Sequence, residues 1–184
     1  LFGAYSPSGR LPVSFPRESG QQPYYYAHKP TGRPNPEGKL EAYKTRFRGI
    51  THTALYPFGH GLTYGKFDYA DLALSARGMA VSGGEIAVSA RITNSGRRAA
   101  EEVAQLYIRD RAASITRPVR ELKAFRKLAL APGASETVRF VLRPSDLQFI
   151  GLQNRPVVEP GTFDVWIAPS AEADGLHATF ELTA

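Results

Sequence analysis

Cysteine is absent from the chain, which excludes disulfide bridges and thiolate metal sites outright while leaving the redox compartment open. No apolar run approaches the roughly 18 residues that a membrane-spanning helix needs, so no membrane partner is expected. Residues 1 to 20 hold no cationic stretch followed by an apolar core, and no export signal is read there. The chain begins at Leu1 and not at methionine, and the expectation is that the natural N-terminus lies further upstream. Histidine is scarce: His28, His52, His60 and His177 show no i, i+4 pairing, and each reads alone as a hydrogen-bonded surface or interface residue. Gly-rich phosphate loops, His-Glu metal motifs and calcium loops are missing, so no metal and no cofactor is expected. Gly59-His60-Gly61 lacks the preceding strand and the lysine of a phosphate cradle and reads as a turn, and Ser8, Ser14 and Ser19 lack a nucleophile-elbow context.

What is present divides unevenly along the chain. Residues 1 to 66 hold 8 of the 14 prolines and 11 of the 20 aromatics. Prolines at that density remove backbone donors and impose extended or turn conformations, so this leader is not expected to be helical. It is also too apolar for a disordered linker, because Leu11, Val13, Phe15 and its tyrosines need a surface to pack on. The formal net charge is +6, and all of the excess sits in the leader: 9 Lys or Arg against 3 Asp or Glu there, 14 against 14 in residues 67 to 184. A neutral domain with a basic leader does not read as a nucleic-acid binder. The partner it suggests is an acidic surface of another protein domain.

From Phe67 onward, short segments of alternating polarity recur between turn signals, the texture of an all-β antiparallel sandwich. Ile86, Val88, Ala90 and Ile92 share one face, as do Ala104, Leu106 and Ile108, then Val138, Phe140 and Leu142, then Phe163, Val165 and Ile167. Seven strands are predicted: 68 to 75, 85 to 93, 102 to 109, 120 to 130, 135 to 142, 162 to 168 and 177 to 183. Asn94-Ser95-Gly96, Pro132-Gly133 and Pro160-Gly161 supply turns. Pro144-Ser145-Asp146-Leu147 predicts a single helical turn capped by Ser145 or Asp146. Alternation puts Trp166 on the outer side of its strand, with Thr162 and Asp164. An outward Trp is either a sugar-stacking platform or a docking contact. Docking is preferred, because no second outward aromatic on neighbouring segments extends a platform.

Several phrases, in order, carry a resemblance. Ser6-Pro7-Ser8-Gly9-Arg10-Leu11-Pro12-Val13-Ser14-Phe15-Pro16, His28-Lys29-Pro30-Thr31-Gly32-Arg33-Pro34 and Leu55-Tyr56-Pro57-Phe58-Gly59-His60-Gly61-Leu62-Thr63-Tyr64 resemble the end of the second, α/β domain of family three glycoside hydrolases, the β-glucosidase and β-xylosidase group. Asn94-Ser95-Gly96, Glu102-Val103-Ala104-Gln105-Leu106-Tyr107, Arg117-Pro118-Val119-Arg120-Glu121-Leu122-Lys123-Ala124-Phe125, Leu130-Ala131-Pro132-Gly133 and Pro160-Gly161-Thr162-Phe163 resemble that family's fibronectin type III-like domain. The fold implied is an immunoglobulin or fibronectin type III-like sandwich over residues 67 to 184, preceded by an extended Pro/aromatic-rich α/β-domain segment and linker over residues 1 to 66.

The resemblance also implies a function. Such enzymes release terminal β-linked sugars from an oligosaccharide or aryl β-glycoside by retaining hydrolysis, and they use an Asp nucleophile and a Glu acid/base held about 5 to 5.5 Å apart. Both carboxylates are expected upstream. Glu18, Glu37 and Glu41, the leader's only carboxylates, sit in no matching phrase. The segment alone is therefore expected to be inactive, with the upstream catalytic domains as partners and a periplasmic or extracellular location. Within it, His28, Lys29 and Arg33 are the substrate-proximal candidates, and Tyr56, Phe58, Phe67 and Trp166 are the domain-docking candidates. The alternative is a stand-alone sandwich that binds carbohydrate or protein.

Overall fold

The computed structural model describes residues 3–30, 33, 35, 39, 41–45, 47 and 49–184. Ten strands follow one another: β1 Phe67–Leu74, β2 Gly78–Ala80, β3 Ile86–Asn94, β4 Ala100–Asp110, β5 Glu121–Leu130, β6 Ser135–Leu142, β7 Phe149–Ile150, β8 Pro156–Val157, β9 Gly161–Ala168 and β10 Leu176–Thr183. Two sheets pack face to face, one ordered β1-β3-β6 and the other β2-β10-β9-β4-β5. All seven predicted strands are present with ends shifted by two residues at most. The three very short strands were not predicted. β7 and β8 form a small separate hairpin, and β2 pairs parallel with the distant β10.

Period-two alternation builds the core, because successive strand side chains point to opposite faces. Ile86, Val88 and Ile92 from one sheet meet Leu106, Val165 and Ile167 from the other, and all are buried. Phe163 and Phe180, paired across β9 and β10, stack with ring centroids 5.3 Å apart. Removing each such side chain from water stabilises the fold by roughly 1.5 to 3 kcal/mol.

The turns follow their residues. Between β5 and β6 the Ala134 N–H donates to the Ala131 carbonyl at 3.0 Å, with Pro132 and Gly133 in the middle and Gly133 at φ +76°, a left-handed position that suits glycine. Asn94 does more than turn the chain. Its side-chain amide donates to the carbonyls of Arg98 and Leu130 at 2.8 and 2.9 Å, and its Oδ1 accepts from the Gly96 N–H at 3.0 Å. The predicted helical turn is a 3-10 turn at Pro144–Leu147. Its cap differs from the expectation: Arg143 takes the capping position, and Asp146 reaches back to accept the Arg143 N–H at 2.7 Å. Pro144 causes the shift, since a proline is best placed at the first helical position.

Apart from a 3-10 turn at Ser19–Gln21, the described part of the leader has no helix. It folds back on itself: Phe15 forms an antiparallel bridge with Tyr56, and the Leu11 N–H and Gly59 N–H bond the carbonyls of His60 and Leu11 at 2.9 and 2.8 Å. This places residues 55 to 60 against the sandwich.

Candidate functional site

The feature that distinguishes this sandwich is the outer face of its five-stranded sheet. In register across that face stand Gln105 beside Ala168, Tyr107 beside Trp166, and Arg109 beside Asp164, with His177 on the far side of Trp166. Strand alternation alone would leave these groups in water. Instead Tyr107 is 0% and Gln105 3% exposed, because the leader lies over them. Tyr26 stacks on Phe58 at 4.1 Å and meets the Tyr107 ring edge-on at 6.3 Å. The Tyr26 hydroxyl accepts the Leu122 N–H at 3.2 Å, and the Ala171 N–H donates to the Phe58 carbonyl at 2.9 Å.

Polar groups tie the leader to the sandwich at this junction and beyond it. Gln105 Nε2 donates to the carbonyls of Gly59 at 3.1 Å and Pro169 at 2.6 Å, while its Oε1 accepts the Tyr107 hydroxyl. Gly59, at φ +81°, lets this happen: a Cβ there would sit 2.2 Å from Gln105 Oε1. Arg10 and Glu102 form an ion pair at 2.6 Å with side chains only 10% and 6% exposed. Burial, then the charge of Glu102, pushes the neighbouring Tyr69 hydroxyl far above its ordinary range. The β9–β10 loop adds Glu172, which accepts the Tyr24 hydroxyl at 2.7 Å and the Ala54 N–H at 3.2 Å. Tyr24 is likewise pushed up, by burial first and Glu172 second.

Trp166 is held inside this array. His177 stacks on it at 4.9 Å from the β10 side, and the Arg120 guanidinium sits 4.5 Å from its ring centre from the side of β4. Arg120 also donates through Nη1 to the carbonyls of Ala171 and Ala173, at 2.7 Å each. Next to it Asp164 accepts Arg111 Nη2 and Nε at 2.7 and 3.1 Å and meets His177 Nε2 at 2.7 Å. Burial pushes the Asp164 carboxyl up, but the hydrogen bonds from Arg111 and His177 outweigh it and hold it below the usual range.

Residues 1–64 match the model of the glycosyl hydrolase family 3 C-terminal domain, and residues 102–171 match the fibronectin type III-like domain. The chain belongs to the C-terminal region of glycosyl hydrolase family 3. It is 45% identical over 99% of its length to a periplasmic β-glucosidase of Salmonella typhimurium, covering 24% of that protein. It is 40% identical over 99% of its length to a putative β-xylosidase of Formosa agariphila, covering 22% of it. Among solved structures, a β-glucosidase from Listeria innocua in complex with gluconolactone superposes with a TM-score of 0.92 at 40% identity, over 99% of this chain and 25% of that one. The chain thus spans about a quarter of the length of the relatives it matches.

In this family 3 segment the sequence candidates fall in different places. Phe58 and Trp166 belong to the one outer-face cluster. Tyr56 lies apart from it, 44% exposed, edge-on to Phe15 and stacked on His60. Phe67 opens β1 and packs against the inner core of the sandwich. His28 is tied to the β4–β5 loop, its carbonyl accepting the Val119 N–H at 2.9 Å, and His28 and Lys29 both line a cavity between the leader and β4. Arg33 is exposed, and its carbonyl accepts the Thr45 N–H at 2.8 Å. Thr31, Gly32 and Pro34 of that phrase lie outside the described residues. Among the described residues no group of His, Asp and Glu converges on a metal position. Reading the sequence missed Tyr26, Gln105, Tyr107, Arg120 and the Arg10–Glu102 pair. Tyr107 also corrects the statement that no outward aromatic neighbours Trp166, since it stands directly across from it in register.

Proposed function

We propose that this chain is the C-terminal structural part of an exo-acting, retaining β-glycosidase of β-glucosidase type, and that it serves there as a buttress. What supports this most is the likeness to a periplasmic β-glucosidase along leader and sandwich alike, at 45% identity over 99% of the chain. Retaining hydrolysis requires two carboxylates about 5 to 5.5 Å apart, one attacking the anomeric carbon and one protonating the leaving oxygen. In this reading both belong to domains outside this chain, the substrate is an oligosaccharide or aryl β-glycoside, and no cofactor takes part. The leader is the part that faces those domains, with His28, Lys29 and Arg33 nearest the substrate. Phe58 and Trp166 hold leader and sandwich together, Tyr56 on the leader is the candidate for contact with the domains outside this chain, and Phe67 packs within the sandwich. A Trp whose ring is already occupied by Arg120 and His177 suits docking better than sugar stacking.

Two measurements test the proposal. The longer protein encoded by the complete reading frame should cleave 4-nitrophenyl β-glucoside, whereas this chain alone should not; turnover by the pure chain would overturn it. In the longer protein, Lys29→Ala should raise KM several-fold at unchanged Tm, and an unchanged KM would remove Lys29 from the substrate side.

A further inference from the structure

A cavity of about 410 Å³ lies between the leader and β4, apart from the junction cluster. Among the described residues its walls include Tyr24, Tyr25, Phe47, His28, His52 and Arg109, and its lining is predominantly apolar. The volume falls within the few hundred Å³ typical of small-molecule sites.

Among the described residues, two polar groups of its wall residues lack partners. Arg109 is half-buried and makes no ion pair or hydrogen bond among the described residues. Asp164, directly opposite in register, is already occupied by Arg111 and His177. Arg117, in the following β4–β5 loop, pairs with Glu121 at 2.6 Å. His52 Nε2 is buried and has no hydrogen-bond partner. Leaving a guanidinium partly desolvated without an anion is unfavourable, and so is an orphaned ring nitrogen.

We propose that this cavity binds a small ring compound bearing one carboxylate, a sugar acid or an aryl acid. Arg109 grips the carboxylate with its planar fork. Tyr24, Tyr25 and Phe47 receive the ring on flat aromatic surface. Lys29, which also lines the cavity, adds attraction for the anion. A neutral sugar would leave Arg109 unpaired. Inorganic phosphate would gain nothing from the aromatic walls. The inference shares His28 and Lys29 with the substrate side proposed above, but it stands on the cavity, and its test reads binding by this chain and not hydrolysis.

The experiment titrates this chain with glucuronate, benzoate, glucose and inorganic phosphate, followed by amide NMR shifts and calorimetry. At least one carboxylate should bind about tenfold or more tighter than glucose and phosphate, with shifts at Tyr24, His52 and Arg109. Preference for glucuronate assigns a sugar acid, and preference for benzoate an aryl acid. Arg109→Gln should abolish the carboxylate preference at unchanged Tm, and Tyr25→Ala, at an exposed ring, should weaken binding several-fold. Equal affinity for glucose and glucuronate with no preference for benzoate, shifts confined to other regions, or full carboxylate binding by Arg109→Gln would overturn the proposal.

Discussion

Two aspartates on neighbouring strands, Asp164 and Asp110, respond to their surroundings with opposite sign. Asp164 is held below its usual range because Arg111 and His177 outweigh the effect of burial. Asp110 is pushed above it, mainly by burial, against a hydrogen bond from the Ala112 N–H. A carboxyl with a depressed folded-state pKa contributes stability above the unfolded value near 3.9, and that contribution is lost as the pH falls through its folded value. A raised carboxyl carries a cost above its folded value that protonation relieves. Asp164→Asn should therefore cost about 1 kcal/mol at pH 7, a modest figure because Arg111 and His177 are about half exposed. The cost should persist down to the unfolded value and fade only as the pH falls below it, through the depressed folded-state value. Asp110→Asn should stabilise slightly at pH 7 and flatten the acid limb in the other sense. Chemical denaturation at a series of pH values checks both, and an Asp164→Asn penalty that does not shrink as the pH falls below the unfolded carboxyl value would refute the assignment. Trp166 facing outward was legible from alternation, whereas the burial of Tyr107 was not. Whether an outward residue meets water or another segment depends on chain folding over it, which residue spacing does not encode.

Among elements, long strands were readable and short ones were not, and the reason is periodicity. β3, β4 and β9 each alternate over eight residues or more, so their apolar faces declare themselves. β7 and β8 have two residues each, and β2 exists only because Gly78–Ala80 meets β10 a hundred residues later. The same gap hid the tie between leader and β4. Arg10 and Glu102 each sit in phrases quoted from the sequence, but only the fold brings them to 2.6 Å. Both side chains are nearly buried, so removing one partner leaves a desolvated charge. Glu102→Gln should destabilise by about 3 kcal/mol. The double variant Arg10→Met with Glu102→Gln should cost clearly less than the two single changes added together. Strict additivity in thermal or urea unfolding would show that the pair does not couple leader to sheet.

At the scale of the whole molecule, the question is how far the sandwich depends on its leader. Among the described residues the inner core is drawn from residues 67 to 184, and those strands pair among themselves. The outer-face cluster draws Tyr26 and Phe58 from the leader to cover Tyr107 and Ala171. We propose that the chain divides at residues 66 and 67, with a sandwich that folds alone and a leader that does not. Residues 67 to 184 should then melt cooperatively, but below the full chain. Re-exposing on the order of 100 Å² of apolar surface costs roughly 2.5 kcal/mol, which for a domain of this size lowers Tm by about 10 °C. Trp166, the single tryptophan, reports on the change directly. Its emission should shift to the red and become more accessible to acrylamide when the leader is removed. The pair Tyr26→Ala and Phe58→Ala in the full chain should reproduce most of both effects, because it strips the same cover without shortening the chain. Residues 1 to 66 alone should show no cooperative transition. A truncated sandwich that fails to melt cooperatively would refute the division, and one with the Tm and emission of the full chain would show that the leader contributes nothing to the outer face.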